Sequence, residues 1–181
     1  MLSLQEAHRI MDTAEQIYSA AAITETVNRM AQEITASLSN QYPLVLCVMG
    51  GAVVFTGQLL PLLNFPLNFD YLHITRYNNE IHPGQTQWKV LPRENLKGRV
   101  VLIIDDILDK GVTLATIREQ VMRSGATAFY SAVFVDKEIS KPKPIQADFV
   151  GVTLPDRYLF GFGMDIQGAW RNLPAIYAIK Q

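Results

Sequence analysis

Five consecutive apolar residues, Val100, Val101, Leu102, Ile103 and Ile104, end abruptly in Asp105 and Asp106, and the period of the pattern then changes. An unbroken β-branched run is what a strand covered on both faces of a parallel sheet requires, because neither row of its side chains meets water. After Ile107, Leu108, Asp109, Lys110, Gly111, Val112 and Thr113, apolar residues recur at helical spacing as Leu114, Ile117 and Val121. The acids therefore fall in a strand-to-helix loop. The same grammar recurs upstream, where the short run Leu44 to Met49 ends in Gly50 and Gly51, and Val53, Phe55, Leu59 and Leu60 follow as a helix.

The rest of the chain reads similarly. Ser3 and Glu6 form a capping-box pattern ahead of Ala7, Ile10, Met11, Ala14 and Ile17, which share one helical face. A second helix is expected from about Thr24, with Val27, Met30, Ala31, Ile34 and Leu38 inward. Leu67 to Ile74 reads as a strand, whereas Tyr77 to Trp88 has neither period and reads as a long excursion of the kind that forms lids. Strand Ala128 to Val135, a Pro/Lys-rich loop through Lys141, Pro142, Lys143 and Pro144, and a short strand near Phe149 and Val150 complete the pattern. The fold class is α/β: a twisted, mostly parallel sheet with helices on both faces. With no internal repeat and no linker, residues 1–181 are expected to form one domain.

In open α/β sheets, ligands bind at the carboxyl edge of the strands, where a helix N-terminus turns free N–H groups toward an anion. Gly111 allows close backbone approach and Thr113 offers a hydroxyl, so the loop suits a phosphate. Its acids would repel a bare phosphate unless a cation lies between, which points to a phosphorylated substrate with a divalent metal. Composition narrows the field further. At 181 residues and 49% hydrophobic content the chain can bury a sizeable core. The lone Cys47 lies in an apolar run and is expected to be a buried hydrophobe. A net charge of −1 argues against nucleic acid as a partner, and no apolar segment is long enough for a membrane helix, so a cytoplasmic protein is expected.

The segment VVLIIDDILDKGVTL closely resembles the 5-phosphoribosyl 1-diphosphate (PRPP) motif of type I phosphoribosyltransferases. Downstream, Val135, Asp136 and Lys137, then Pro155 through Asp165, and Trp170, Arg171 and Asn172, resemble the purine-binding half of the hypoxanthine-guanine phosphoribosyltransferases. The resemblance runs from about Leu44 to the C-terminus and implies a small hood over the sheet, built from the C-terminal segment and open to a contribution from the N-terminal residues. It also implies purine salvage: transfer of the phosphoribosyl group of PRPP to N9 of a 6-oxopurine, with Mg2+ as cofactor, in a homodimer or homotetramer.

By resemblance, Asp105 and Asp106 face the ribose hydroxyls and metal, and Asp109 is the catalytic acid–base group. The backbone of Asp109, Lys110, Gly111, Val112 and Thr113 holds the 5′-phosphate. Lys137 reads the purine O6, Tyr158 stacks on the ring, and the backbone near Leu159 and Asp165 reads the C2 edge. Asp165 also serves a second metal, and Gly50, Gly51 and Arg171 hold pyrophosphate. Met49–Gly50 is expected to be a cis peptide. Thr75, Arg76 and Tyr77 belong to the lid. The chain departs from the common pattern at Gly50, where many members have Lys, at Arg76 (Ser), at Asp105 (Glu) and at Val112 (a polar or basic residue), and Arg76 is the expected replacement for the missing loop cation. Two alternatives stay open: a xanthine-preferring or broad 6-oxopurine transferase, and a non-catalytic nucleic-acid-binding regulator of the same fold.

Overall fold

The computed structural model describes residues 2–76 and 86–180, with the backbone alone at Arg76 and Thr86. Its elements run α1 (Leu4–Thr13), β1 (Ala14–Tyr18), α2 (Ala20–Leu38), β2 (Leu44–Met49), α3 (Val53–Leu59), β3 (Asn68–Arg76), β4 (Thr86–Val90), β5 (Val100–Leu108), α4 (Val112–Arg123), β6 (Ala128–Glu138), β7 (Phe149–Pro155), β8 (Leu159–Phe160) and β9 (Ile176–Ile179). Six strands form one sheet in the order β4-β3-β2-β5-β6-β7, parallel except for β4. The two apolar runs, β2 and β5, lie side by side at its centre, which is where strands without a polar face must go.

Strand alternation shows how the helices sandwich this sheet. Thr56 of α3 donates to Cys47 Sγ at 3.2 Å on one face. Leu72 pairs in register with Val48 and so points the other way, where it shares a cavity wall with Val121 of α4. Helix α2 lies on the α3 side, with Arg29 donating to the carbonyls of Val150 and Gly151 in β7. Phe134 of β6 is fully buried between Phe55 of α3 and Phe162, with ring centroids 5.3 and 4.7 Å away. That aromatic cluster joins the sheet, a helix and the C-terminal segment into one core.

The second sheet, β1-β9-β8, is antiparallel and draws the two ends of the chain together. Arg157 fastens it, donating to Glu15 Oε2 at 2.7 Å and to Ile179 O at 2.8 Å. The N-terminal residues thus share this second sheet with the C-terminal segment. Here the structure corrects the helical reading of Ala14 and Ile17: α1 ends at Thr13, and these residues form a strand because β9 offers a ladder to pair with, a contact of long sequence separation that local periodicity does not register. The capping box is present as expected, with Ser3 and Glu6 satisfying each other's backbone N–H groups. Helix α2 begins earlier than expected, with Ser19 as its cap. Val53 is exposed despite its place in the pattern. Trp88 sits in β4, opposite Ile74, so the excursion is shorter than expected.

Candidate functional site

The carboxyl ends of β2, β3 and β5 open into a cavity of about 360 Å³, lined among others by Gly50, Gly51, Thr75, Asp105, Asp106 and Thr113, with Asp165 and Arg171 at its rim. A second cavity of about 250 Å³ adjoins it, bounded by Asp109, Lys137, Tyr158, Leu159 and Met164, and shares Asp106, Ile107, Asp109 and Asp165 with the first. The site is therefore a cleft of two lobes with Asp109 between them. A polar lobe floored by backbone suits a sugar phosphate, and a smaller lobe with an exposed aromatic ring and one lysine suits a flat heterocycle.

Local sequence explains the first lobe. The chain leaves β5 and enters α4 through Gly111, whose φ of +76° favours glycine, and α4 starts without a side-chain cap. Its first N–H groups and positive dipole end are thus available to an anion. Opposite, the Met49–Gly50 peptide at the end of β2 is cis, as expected. The approach is tight: a Cβ at Gly51 would lie 1.9 Å from Asp106 Oδ2.

Asp105 and Asp106 are adjacent acids at the buried end of a strand. Asp105 Oδ1 accepts from the Asp106 N–H at 3.0 Å, and Asp106 Oδ1 from the Ile107 N–H at 2.9 Å. Burial pushes the Asp105 carboxyl well above the usual carboxylate range, and the Asp106 charge adds to this. Burial also raises Asp106, against the hydrogen bonds it accepts and the Arg171 charge. A carboxyl raised above its unfolded value of 3.8 favours the folded state below that value, and the benefit is lost as pH rises through the folded value. Asp105→Asn is therefore expected to raise the thermal midpoint of the ligand-free protein at pH 7 relative to the parent, with the difference vanishing toward pH 4; calorimetry at the two pH values checks this.

Lys137, at the end of β6, has its ammonium 2.9 Å from Asp156 Oδ1 and 3.5 Å from Asp109 Oδ1. Asp156 is absent from the site residues that the sequence points to, although the Pro155-Asp156-Arg157 turn after an apolar strand is a signal for a loop acid. Arg171 donates to Gly163 O at 2.6 Å and pairs with Asp165 at 2.5 Å, while Asp165 Oδ2 accepts from the Gly168 N–H at 2.7 Å. Both Asp165 oxygens are thus engaged within the loop that carries Arg171. Lys110 and Gly111 line the first lobe, and Val112 opens α4 beside them. Thr75 also lines it, whereas the Arg76 side chain, Tyr77 and the lid reading of the following residues lie outside the described residues.

Cys47 takes no part: it is buried, bonded by Thr56, and burial pushes its thiol up to about 11. Among the described residues no helix is long and apolar enough to cross a membrane.

Comparison with known proteins agrees with this geometry. The family model described as "Phosphoribosyl transferase domain" matches residues 13–167. The chain is 29% identical to the hypoxanthine-guanine-xanthine phosphoribosyltransferase of Tritrichomonas foetus over 95% of each chain, and 29% identical to the hypoxanthine-guanine phosphoribosyltransferase of Bacillus subtilis (strain 168) over 93% of this chain and 94% of that one. Among solved structures, a hypoxanthine-guanine-xanthine phosphoribosyltransferase superposes with a TM-score of 0.84 at 28% identity, covering 94% of this chain and 100% of the other.

Proposed function

The chain belongs to the phosphoribosyl transferase domain family, and on that premise we propose that it transfers the phosphoribosyl group of PRPP to N9 of hypoxanthine or guanine, forming the nucleotide and pyrophosphate. The observation that carries this reading is the two-lobed cleft with Asp109 between a phosphate-suited loop and a lobe holding Lys137 and Tyr158.

The residues divide the work as follows. The backbone from Asp109 to Thr113 and the Thr113 hydroxyl hold the 5′-phosphate at the start of α4. Cleavage of the anomeric C–O bond develops positive charge on the ribose, which the carboxylates of Asp105 and Asp106 favour. The incoming purine sheds a proton as N9 attacks, and Asp109, solvent-accessible and beside the base lobe, relays it. Lys137 donates to the base O6 and leaves adenine, with its donor amino group there, unmatched. Tyr158, half exposed at the lobe, stacks on the ring. Gly50, Gly51 and Arg171 receive the pyrophosphate, with a planar guanidinium fork suited to two phosphate oxygens.

Mg2+ fits these residues in a particular way. Among the described residues, no three His, Cys, Asp or Glu cluster so as to hold a metal, whereas the adjacent Asp105 and Asp106 carboxyls are both raised by burial, Asp105 further by the Asp106 charge. That suits an ion bound through one or two carboxylates, from Asp105, Asp106 and Asp165, plus the substrate's own oxygens. Bound there, it supplies neutralisation of the departing pyrophosphate.

The test is pyrophosphate release from PRPP with Mg2+ and hypoxanthine, guanine, xanthine or adenine in turn. Release with hypoxanthine and guanine is expected and adenine is expected to fail; adenine as the preferred base would overturn the role given to Lys137.

A further inference from the structure

The proposed reaction needs Asp109 at the end of β5 and Lys137 at the end of β6 to keep a fixed separation, yet the ladder between those strands stops at the pair Leu108 and Asp136. Lys143, from the loop between β6 and β7, stands at this point. Its side chain is only 12% exposed, and its ammonium donates to Leu108 O at 2.7 Å, to Lys137 O at 2.6 Å and to the Asp136 carboxylate. An ammonium has three protons, and here three acceptors from two strands take them. A lysine at a loop normally carries its charge out to water, since an ammonium withdrawn from solvent is costly unless paired and hydrogen-bonded. This one turns inward and is fully satisfied.

The same segment also touches the phosphate side of the cleft. A Cβ at Gly111 would meet Pro144 Cδ at 3.2 Å and Lys143 Cβ at 3.3 Å, so the loop is packed against the Gly111 turn. One residue thus joins the carbonyl just before Asp109, the carbonyl of Lys137 itself, and the back of the turn that opens α4. We propose that Lys143 is a positioning residue that clamps the base-reading end of β6 to the phosphate loop after β5. It touches no substrate; it acts by holding the two lobes in register. The proposal rests on the reading of those lobes given above.

Lys143→Ala is expected to lower kcat/KM for hypoxanthine by about 10- to 100-fold, the loss that follows a small misplacement of reacting groups. Hydrogen exchange is expected to quicken at the ladder amides of residues 107, 108, 135 and 136, where β5 and β6 pair beside Lys143, while those of α2 stay at the parent rate. Ethylammonium chloride is expected to restore turnover saturably, and sodium chloride at equal ionic strength is not. Parent-like kinetics with parent-like exchange at those four ladder amides would overturn the proposal, as would exchange that quickens equally in α2. Should Lys143→Ala fail to fold, Asp136→Asn leaves both carbonyl acceptors in place and should show the same local pattern at smaller amplitude; unchanged exchange at the same ladder amides in that variant counts against the clamp. If the parent transfers no phosphoribosyl group at all, the functional reading falls by itself, and the exchange measurement still judges Lys143.

Discussion

Gly163→Ala is expected to cost roughly 100-fold in turnover, although residue 163 carries no chemistry, because small displacements of reacting groups are costly on that scale. Gly163 has a φ of +97°, and a Cβ there would lie 2.0 Å from the carbonyl oxygen of Gly51. That atom belongs to the backbone, so the collision cannot be relieved by turning a side chain. Gly51 in turn has no room to retreat, since its own Cβ direction ends on the Asp106 carboxylate. Gly163, Gly51 and Asp106 are therefore stacked, and pushing the first drives the Gly50–Gly51 turn into the acid pair. The backbone strain of an alanine at positive φ costs about 1–3 kcal/mol and overpacking a similar amount, so the thermal midpoint should fall as well. Gly57→Ala is the control: Gly57 lies exposed in α3 with nothing within 4 Å of the added carbon, and a helical Gly-to-Ala change stabilises by about 0.4–1 kcal/mol. Parent-like turnover and midpoint in Gly163→Ala would show that this stack does not position the loop.

Lys137→Ala is expected to raise the KM for hypoxanthine and guanine by about 10- to 100-fold while that for PRPP changes little, since one charge-assisted hydrogen bond of about 1.5–3 kcal/mol is lost from the base lobe alone. The geometry sharpens the expectation. The Lys137 side chain is 15% exposed, but its acidic neighbours Asp109 and Asp156 are 43% and 61% exposed, so both can rehydrate when the ammonium is removed. Exposed pairs of this kind add little to stability, and the thermal midpoint should stay close to the parent value. Steady-state kinetics with each substrate varied separately distinguishes this from a folding defect. Equal rises in both KM values would assign Lys137 to the architecture of the cleft.

How far the sequence reveals the site depends on the range of the interactions that build it. The β5 run, the Asp105-Asp106 break and the α4 spacing are local signals, and together they suffice to place the acids at a sheet edge. The helix face of α2 is legible for the same reason. β1 is not, because Ala14 to Tyr18 becomes a strand only when β9, more than a hundred residues away, lies beside it. β4 does carry a local trace, in the alternation of Thr86, Trp88 and Val90, which the neighbouring Pro and Gly obscure. Lys143 and Gly163 are hidden for the same reason as β1. A lysine between prolines reads as solvated, and a glycine near the chain's end reads as a turn; only the packing of the Pro/Lys loop under β5, and of the C-terminal segment on Gly51, gives either a task. Resemblance to a family fills some of this gap by position, notably at Lys137, Asp165 and Arg171, but it leaves Asp156 and Lys143 unassigned.

The central claim is that this cleft joins a base to the ribose of PRPP. Its most direct test is the stoichiometry of product: incubation with PRPP, hypoxanthine and Mg2+, followed by mass spectrometry of the nucleotide and assay of pyrophosphate. The account predicts one nucleotide, with base and phosphoribosyl group joined, for each pyrophosphate released. Pyrophosphate released at the same rate without any base, with no nucleotide formed, would contradict it.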